Sequence, residues 1–261
     1  MSLRTVQDYD KELDALAARI GYLDPAKMQR PDVIRLRDSN AEKLRFANYC
    51  IQIVRILQEV AIDLGWRPSG SNPVKGVSLL KSNTPDREPW PEDKLTEFRS
   101  TFDLGTAERT LFEMLLGTGQ RIGDVLKARW SDIRDGGVDV VQGKTKAKLW
   151  VSWTDDLCAA LAATPRVSVF ICPNPHSLSQ WTYFRGADTM RTTRKSISAL
   201  PWDLHSLRYT ATAELARAGC SDEEIQAITG HKSVAMIRKY AGPRRQIAQA
   251  KKARERNKKK T

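Results

Sequence analysis

A cluster of chain breakers, Arg67-Pro68-Ser69-Gly70-Ser71-Asn72-Pro73, cuts the sequence into two stretches of different texture, and any fold must accommodate that cut. Before it, apolar residues recur at helical spacing. Val6, Tyr9, Leu13, Leu16 and Ile20 form one stripe, and Leu44, Ala47, Ile51, Val54, Leu57 and Ala61 form a second. The first stripe predicts a helix with Thr5 as N-cap and Asp8 reaching back to it. The second predicts a long helix from Ala41 to Leu64, capped by Ser39 or Asn40 and stopped by Gly65. A short helix over Pro31–Arg37 fits between them.

After the breakers, helical periodicity is weak until Pro91, which suits the first turn of a new helix. The expected division is therefore a helical domain over 1–66, a linker over 67–90, a second domain over 91–245 and a basic tail over 246–261. In the second domain the pattern predicts helices at 91–103, 106–117, 121–129, 155–163, 204–218, 222–229 and 233–241. Two β-type runs, Val138–Gln142 and Leu149–Trp153, flank Gly143–Lys148 and predict a hairpin. Val167–Cys172 reads as a further strand, and residues 173–200 carry no clear pattern. The fold class is mainly α with a small antiparallel sheet.

Composition narrows the setting. With 41% hydrophobic residues the chain can bury a core, which argues against global disorder. It has no apolar stretch of membrane-spanning length and no secretory start, so no membrane partner is expected. Its four cysteines, Cys50, Cys158, Cys172 and Cys220, lack zinc-site spacing and suit a reduced, cytoplasmic protein. The net charge of +12 is mostly a tail property, because residues 244–261 hold nine Lys/Arg against the single acid Glu255. Such a tail attracts DNA phosphates without reading sequence. It equally suits a solvated end of the chain, so charge alone does not define a nucleic-acid partner.

Chemistry enters through six polar residues: Arg121, Lys144, His205, Arg208, His231 and Tyr240. Singly, each has a bland reading. Arg121 can pair with Asp124 at i+3, His205 and Arg208 share a helix face as many pairs do, and a tyrosine on an amphipathic helix usually packs. Together they meet the needs of phosphodiester cleavage. Forked guanidinium groups neutralise charge growing on the non-bridging oxygens. Tyrosine is a competent nucleophile once its small phenolate fraction, about 0.1% at neutral pH, is raised by nearby cations and a histidine acceptor. A lysine at a hairpin tip can protonate the leaving oxygen, and Lys144 shares that turn with Lys146 and Lys148. No carboxylate cluster suggests a metal route, and no cofactor is expected.

These segments resemble the tyrosine recombinase, or phage integrase, family. The likeness lies in Gly117-Thr118-Gly119-Gln120-Arg121-Ile122-Gly123-Asp124-Val125-Leu126, in Arg129-Trp130-Ser131-Asp132-Ile133 and in Gly143-Lys144-Thr145-Lys146. It continues in His205-Ser206-Leu207-Arg208-Tyr209-Thr210-Ala211-Thr212, in Thr229-Gly230-His231-Lys232-Ser233 and in Tyr240 nine residues beyond that histidine. It covers about residues 90–245, and the preceding helices are similar in pattern to the family's core-binding domain. The resemblance implies that Tyr240 attacks the scissile phosphate to form a 3′-phosphotyrosine. Arg121 and Arg208 would hold its oxygens, Lys144 would protonate the leaving 5′ oxygen, His205 would assist proton transfer at the tyrosine, and His231 would donate to the phosphate. Asp124 would support Arg121.

It also implies double-stranded DNA as partner, a homotetramer on two DNA sites and, in some members, accessory DNA-bending proteins. The family's additional N-terminal arm-binding domain has no counterpart in these residues. Gln120 stands where leucine is common, which reads as a minor change. The rival readings are a type IB topoisomerase, which relaxes supercoils without a target site, and a catalytically idle DNA-binding accessory protein.

Overall fold

The computed structural model describes residues 3–82 and 87–258, which fall into two compact units divided between Pro85 and Asp86. The N-terminal unit contains α1 (Leu3–Ile20), α2 (Arg30–Asp38) and α3 (Leu44–Asp63). Both sequence stripes face its core except at Val6 and Leu57, which are exposed, and Leu16, Val33, Leu36, Ile51 and Val54 are buried there. Gly65 does end α3. It sits at φ +73° while the Trp66 and Gly65 amides bond back to the carbonyls of Ala61 and Ile62, the double closure typical of a left-handed cap. The other caps differ from expectation. Helix α1 already includes Thr5, and Asn40 donates to the Leu36 carbonyl at 2.8 Å, closing α2 where a cap for α3 was expected.

The breaker-rich segment is no free linker over its first half. Val74 and Val77 are buried in the N-terminal core. Arg67 donates to the carbonyls of Pro25, Ala26, Met28 and Ser71 at 2.8–3.0 Å. Asn72 reaches the Arg55 carbonyl, Arg37 the Ser78 carbonyl, and Asn48 both donates to and accepts from the Leu80 backbone. Turn residues here set up a strap over α2 and α3 whose polar groups are satisfied from the helices, so it packs without regular structure.

The second unit contains α4 (Glu92–Thr101), α5 (Ala107–Thr118), α6 (Ile122–Val125), β1 (Ile133–Arg134), β2 (Gly137–Val141) and β3 (Lys148–Ser152). It continues with α7 (Asp155–Ala163), α8 (Tyr183–Ser196), α9 (Leu204–Ala218), α10 (Asp222–Thr229) and α11 (Val234–Lys258). The strands form an antiparallel sheet in the order β1-β2-β3, with Val138 opposite Val151 and Val140 opposite Leu149. Phe98 and Phe112 stack at 3.9 Å with Trp90 edge-on to both, and α9 runs through the core with Leu207, Arg208, Thr210 and Ala213 almost fully buried. Trp90, expected at the end of the linker, belongs to this core.

Four expectations change here. Helix α6 spans four residues, because the amides of Lys127 and Ala128 bond three residues back, to Asp124 and Val125, and tighten the chain out of α geometry. The run Val167–Cys172 forms only an isolated bridge between Phe170 and Arg129. The patternless 173–200 segment contains α8, started by the Thr182 hydroxyl accepting from the Arg185 amide. Finally, α11 continues to Lys258 through the region expected as a tail, since residues 244–258 contain no glycine or proline and are rich in Ala, Gln, Lys and Arg, all good helix formers. Residues 259–261 of that expected tail lie outside the described residues. Among the described residues no helix is long and apolar enough to cross a membrane.

Candidate active site

The site grows out of one tight turn. Helix α5 ends at Thr118, and Gly119 turns the chain at φ +62°, where an added Cβ would press on Ala211 and Thr229 at 3.3 Å. That turn presents Arg121 as the N-cap residue of α6 and leaves the Gly119 carbonyl pointing at α9. Arg208, 1% exposed, donates Nη1 to this carbonyl at 2.8 Å and Nε to His231 Nε2 at 3.3 Å. Its Nη2 is buried with no hydrogen-bond partner in the protein. Burial first, and the neighbouring Arg121 charge second, push the Arg208 pKa down to about 10.

Arg121 lies 3.9 Å from Asp124 Oδ2 and 3.3 Å from Gln142 Oε1. The other Asp124 oxygen accepts from the Gly143 amide at 2.8 Å, tying the hairpin turn to α6. Lys144 follows directly and is exposed, as are Lys146, which adopts φ +60°, and Lys148 on β3. Only Lys144 adjoins the residue anchored to Asp124.

The tautomer of His231 follows from its partners. Arg208 Nε is an obligate donor, so Nε2 accepts and Nδ1 carries the proton toward the Thr229 hydroxyl at 2.7 Å. The hydroxyl passes its own proton to the Ile225 carbonyl at 2.6 Å. Burial, then Arg208 and Arg121, lower the His231 pKa to about 3. His205, on the same face of α9 as Arg208, is lowered to about 4 by burial and then by Arg87, with Arg208 and Arg121 adding to it. Both rings are thus neutral at physiological pH. His205 meets Tyr209 edge-on at 4.9 Å, and Tyr209 stacks on Tyr240 at 3.7 Å and 13°. Helix α11 holds Tyr240 there by burying Ile237 and Ala241 against Ala216 and Ile225.

The neutral histidines make stability pH-dependent. Their folded pKa values lie below the unfolded value of 6.5, so the unfolded chain binds more protons between 6.5 and about 4 for His205, or about 3 for His231. Their contribution is complete above that window and is lost as pH falls through it. The Tm of the DNA-free protein is expected to fall by several degrees between about pH 7 and about pH 5. The His205→Gln/His231→Gln double variant should show a flatter profile, and an unchanged slope would rule the two rings out as its source.

Five predicted residues, Arg121, His205, Arg208, His231 and Tyr240, thus lie around α9 and the turns that meet it, with Lys144 on the adjoining hairpin. Gln142, Thr229 and Arg87 were missed. Gln142 carried a signal: Val138, Val140 and Gln142 all face inward at period two, so a glutamine holds a core position.

A helical domain carrying a three-stranded sheet is also the fold of several solved structures. The lambda integrase dimer solved on a COC′ core site superposes with a TM-score of 0.76, at 23% identity, over 92% of this chain and 89% of that one. A lambda integrase tetramer solved on a Holliday junction gives 0.78 at 21% identity, over 94% and 73%. The chain belongs to the phage integrase family, whose sequence model matches residues 92–246. The integrase of Escherichia phage HK022 is 28% identical over 188 residues, which are 67% of this chain and 52% of that protein. The chain spans about half the length of the curated relatives it matches, from 41% to 63%.

Proposed function

We propose that this chain is a site-specific DNA recombinase that breaks and rejoins strands through a covalent 3′-phosphotyrosine on Tyr240. The observation that carries this reading is the buried Arg208 guanidinium, set beside Arg121 and two neutral imidazoles, with one donor that no protein atom satisfies. A buried polar group without a partner in a cationic pocket suits an anionic ligand, and two guanidinium groups suit the two non-bridging oxygens of a phosphodiester.

In the reaction, the Tyr240 oxygen attacks phosphorus while its proton passes to a base, for which His205 is the nearest neutral candidate on α9. The bond from phosphorus to the 5′ oxygen breaks, and that oxygen takes a proton from Lys144. Arg121 and Arg208 balance the charge that develops in the transition state. Phosphate binding offsets part of the burial cost and guanidinium repulsion that keep His231 neutral, and Nε2 then releases Arg208 Nε, gains a proton and donates to an oxygen. A 5′ hydroxyl from a partner strand reverses the steps, so no nucleotide is consumed. Double-stranded DNA is the substrate. The solved assemblies of similar fold, a dimer on a core site and a tetramer on a junction, support a tetramer on two sites.

The test is adduct capture. Protein is incubated with a pool of nicked duplexes whose core sequence is randomised, and detergent-resistant adducts are sequenced and digested. The expected result is a narrow family of DNA sequences linked to the peptide containing Tyr240. Relaxation of supercoiled plasmid without sequence preference would indicate a topoisomerase. Tight DNA binding with no adduct would indicate an idle accessory protein.

A further inference from the structure

We infer that Gln120 and Gln142 form a positioning relay, locking Arg121 and the Lys144 turn to the segment that carries His231; its catalytic meaning rests on the function proposed above. Both side chains are buried, at 1% and 0% exposure, and they join three separate pieces of chain. Gln142 Oε1 accepts from Arg121 Nη1 at 3.3 Å and from the Thr145 hydroxyl at 2.5 Å. Its Nε2 donates to Gln120 Oε1 at 2.7 Å and to the Thr229 carbonyl at 2.9 Å. Gln120 Nε2 in turn donates to the carbonyls of Thr118 at 3.1 Å and Ile228 at 2.8 Å.

Neither amide can be flipped. Arg121 only donates and the three carbonyls only accept, so both oxygens and both nitrogens are assigned by their partners. Every donor and acceptor of Gln142 is used. A network satisfied this completely in the core holds one geometry, whereas a partly satisfied one loses more than the broken bond. The backbone is shaped around it as well. At Gly230, φ +68°, an added Cβ would lie 2.5 Å from Gln142 Nε2, so the residue before His231 is small where the amide passes.

The relay accounts for three alignments. Arg121 is held through Nη1, which leaves Nε and Nη2 to meet an anion. Thr145, bonded to the same amide oxygen, holds the turn beside Lys144. Thr229 contributes its carbonyl to Gln142 and its hydroxyl to His231, so the imidazole is oriented by a residue the relay clamps. A leucine at position 120 would leave Gln142 Nε2 one partner short, so this glutamine is more than a neutral substitution in a familiar motif.

The test uses the full chain and a nicked duplex selected from the randomised pool, with Gln120→Leu as the main variant because the Gln120 side chain bonds to Thr118, Ile228 and Gln142 and to neither Arg121 nor residues 143–147. Expected are a roughly 10- to 100-fold slower single-turnover adduct rate at saturating duplex, a Kd changed by no more than about twofold, and faster amide exchange at 143–147 as well as 229–231. The Gln120→Leu/Gln142→Leu double variant should lose no more rate than Gln142→Leu alone, the signature of one shared network. Should Gln142→Leu fail to fold, Gln142→Glu keeps the volume and the acceptor toward Arg121 but gives up both donations, and is expected to show the same rate loss. A Gln120→Leu protein with a lower Tm but normal rate and normal exchange in the turn would overturn the relay. If the unmodified protein forms no adduct at all, the proposed reaction fails instead. The exchange measurement then still decides the relay, upheld by faster exchange in both segments and overturned by an unchanged turn.

Discussion

The Tyr240→Phe protein is expected to form no covalent adduct with nicked duplex while binding it as the unmodified protein does. The substitution removes one oxygen. It preserves the ring that stacks on Tyr209 at 3.7 Å, and the helix face that buries Ile237 and Ala241 is untouched. The fold and DNA binding should therefore survive, which thermal unfolding and a binding isotherm check. The loss is confined to the step that needs a nucleophile, and no second hydroxyl on α11 takes its place, since residues 234–258 hold no other Tyr, Ser or Thr. The obvious substitute is Tyr209, one residue past Arg208 and only 4% exposed. Tyr209→Phe should keep adduct formation within about an order of magnitude, because it changes the environment of the nucleophile and leaves the nucleophile in place. An adduct on the Tyr240→Phe protein that disappears in Tyr209→Phe would move the assignment to Tyr209.

The helices were legible where periodicity and punctuation agreed. Helix α3 has a stripe and a glycine stop, and the structure has both, with Leu57 alone of the stripe exposed and the helix starting at Leu44 instead of Ala41. Helix α8 was hidden because Tyr183–Ser196 is polar on most of its surface and buries only Gly186, Met190, Thr193 and Arg194, too few apolar positions to write a stripe. The segment 67–80 misled for the opposite reason. Its turn residues describe local geometry accurately, but tertiary hydrogen bonds from Arg30, Arg37, Asn48, Arg67 and Asn72 decide that it packs, and they join residues 17 to 46 apart. Helix α11 was expected over 233–241 only, whereas the run of helix formers beyond carries it to Lys258.

Within the site, the residues that bear charge could be found from their types and spacing. What holds them could not. Gln120 reads as an ordinary variation because nothing local reveals that its amide reaches Ile228 and Gln142, 108 and 22 residues away respectively. The lowered pKa values of both histidines come first from burial, then from Arg87 for His205 and Arg208 for His231, and the His231 tautomer rests on Arg208; the fold brings these together from α9 and from the segment before α4.

The same limit applies to Arg109 and Glu113. Four apart on a helix, they look like a solvated pair worth a few tenths of a kcal/mol. In the structure Glu113 is fully buried between α5 and its neighbours, accepting from Arg99 at 2.8 and 3.1 Å and from Arg109 at 2.9 Å. Arg109 also closes the end of α4 by donating to the carbonyls of Arg99 and Phe102. Glu113→Ala would leave Arg109 facing a cavity without its anion and Arg99 with only the half-exposed Asp156 at 2.8 Å, so destabilisation of about 3 kcal/mol is expected. For a unit of this size that lowers Tm by on the order of 10 °C. The charge-free trio Arg99→Met/Arg109→Met/Glu113→Leu should recover most of the loss, because stranding a buried charge costs more than lacking the pair. Recovery should stop short of complete, since the carbonyls at the end of α4 lose their donor. Thermal and urea unfolding of the two proteins decide the matter. A Glu113→Ala loss below about 1 kcal/mol would mean that water reaches the two arginines and that the pair is the surface feature its spacing suggests.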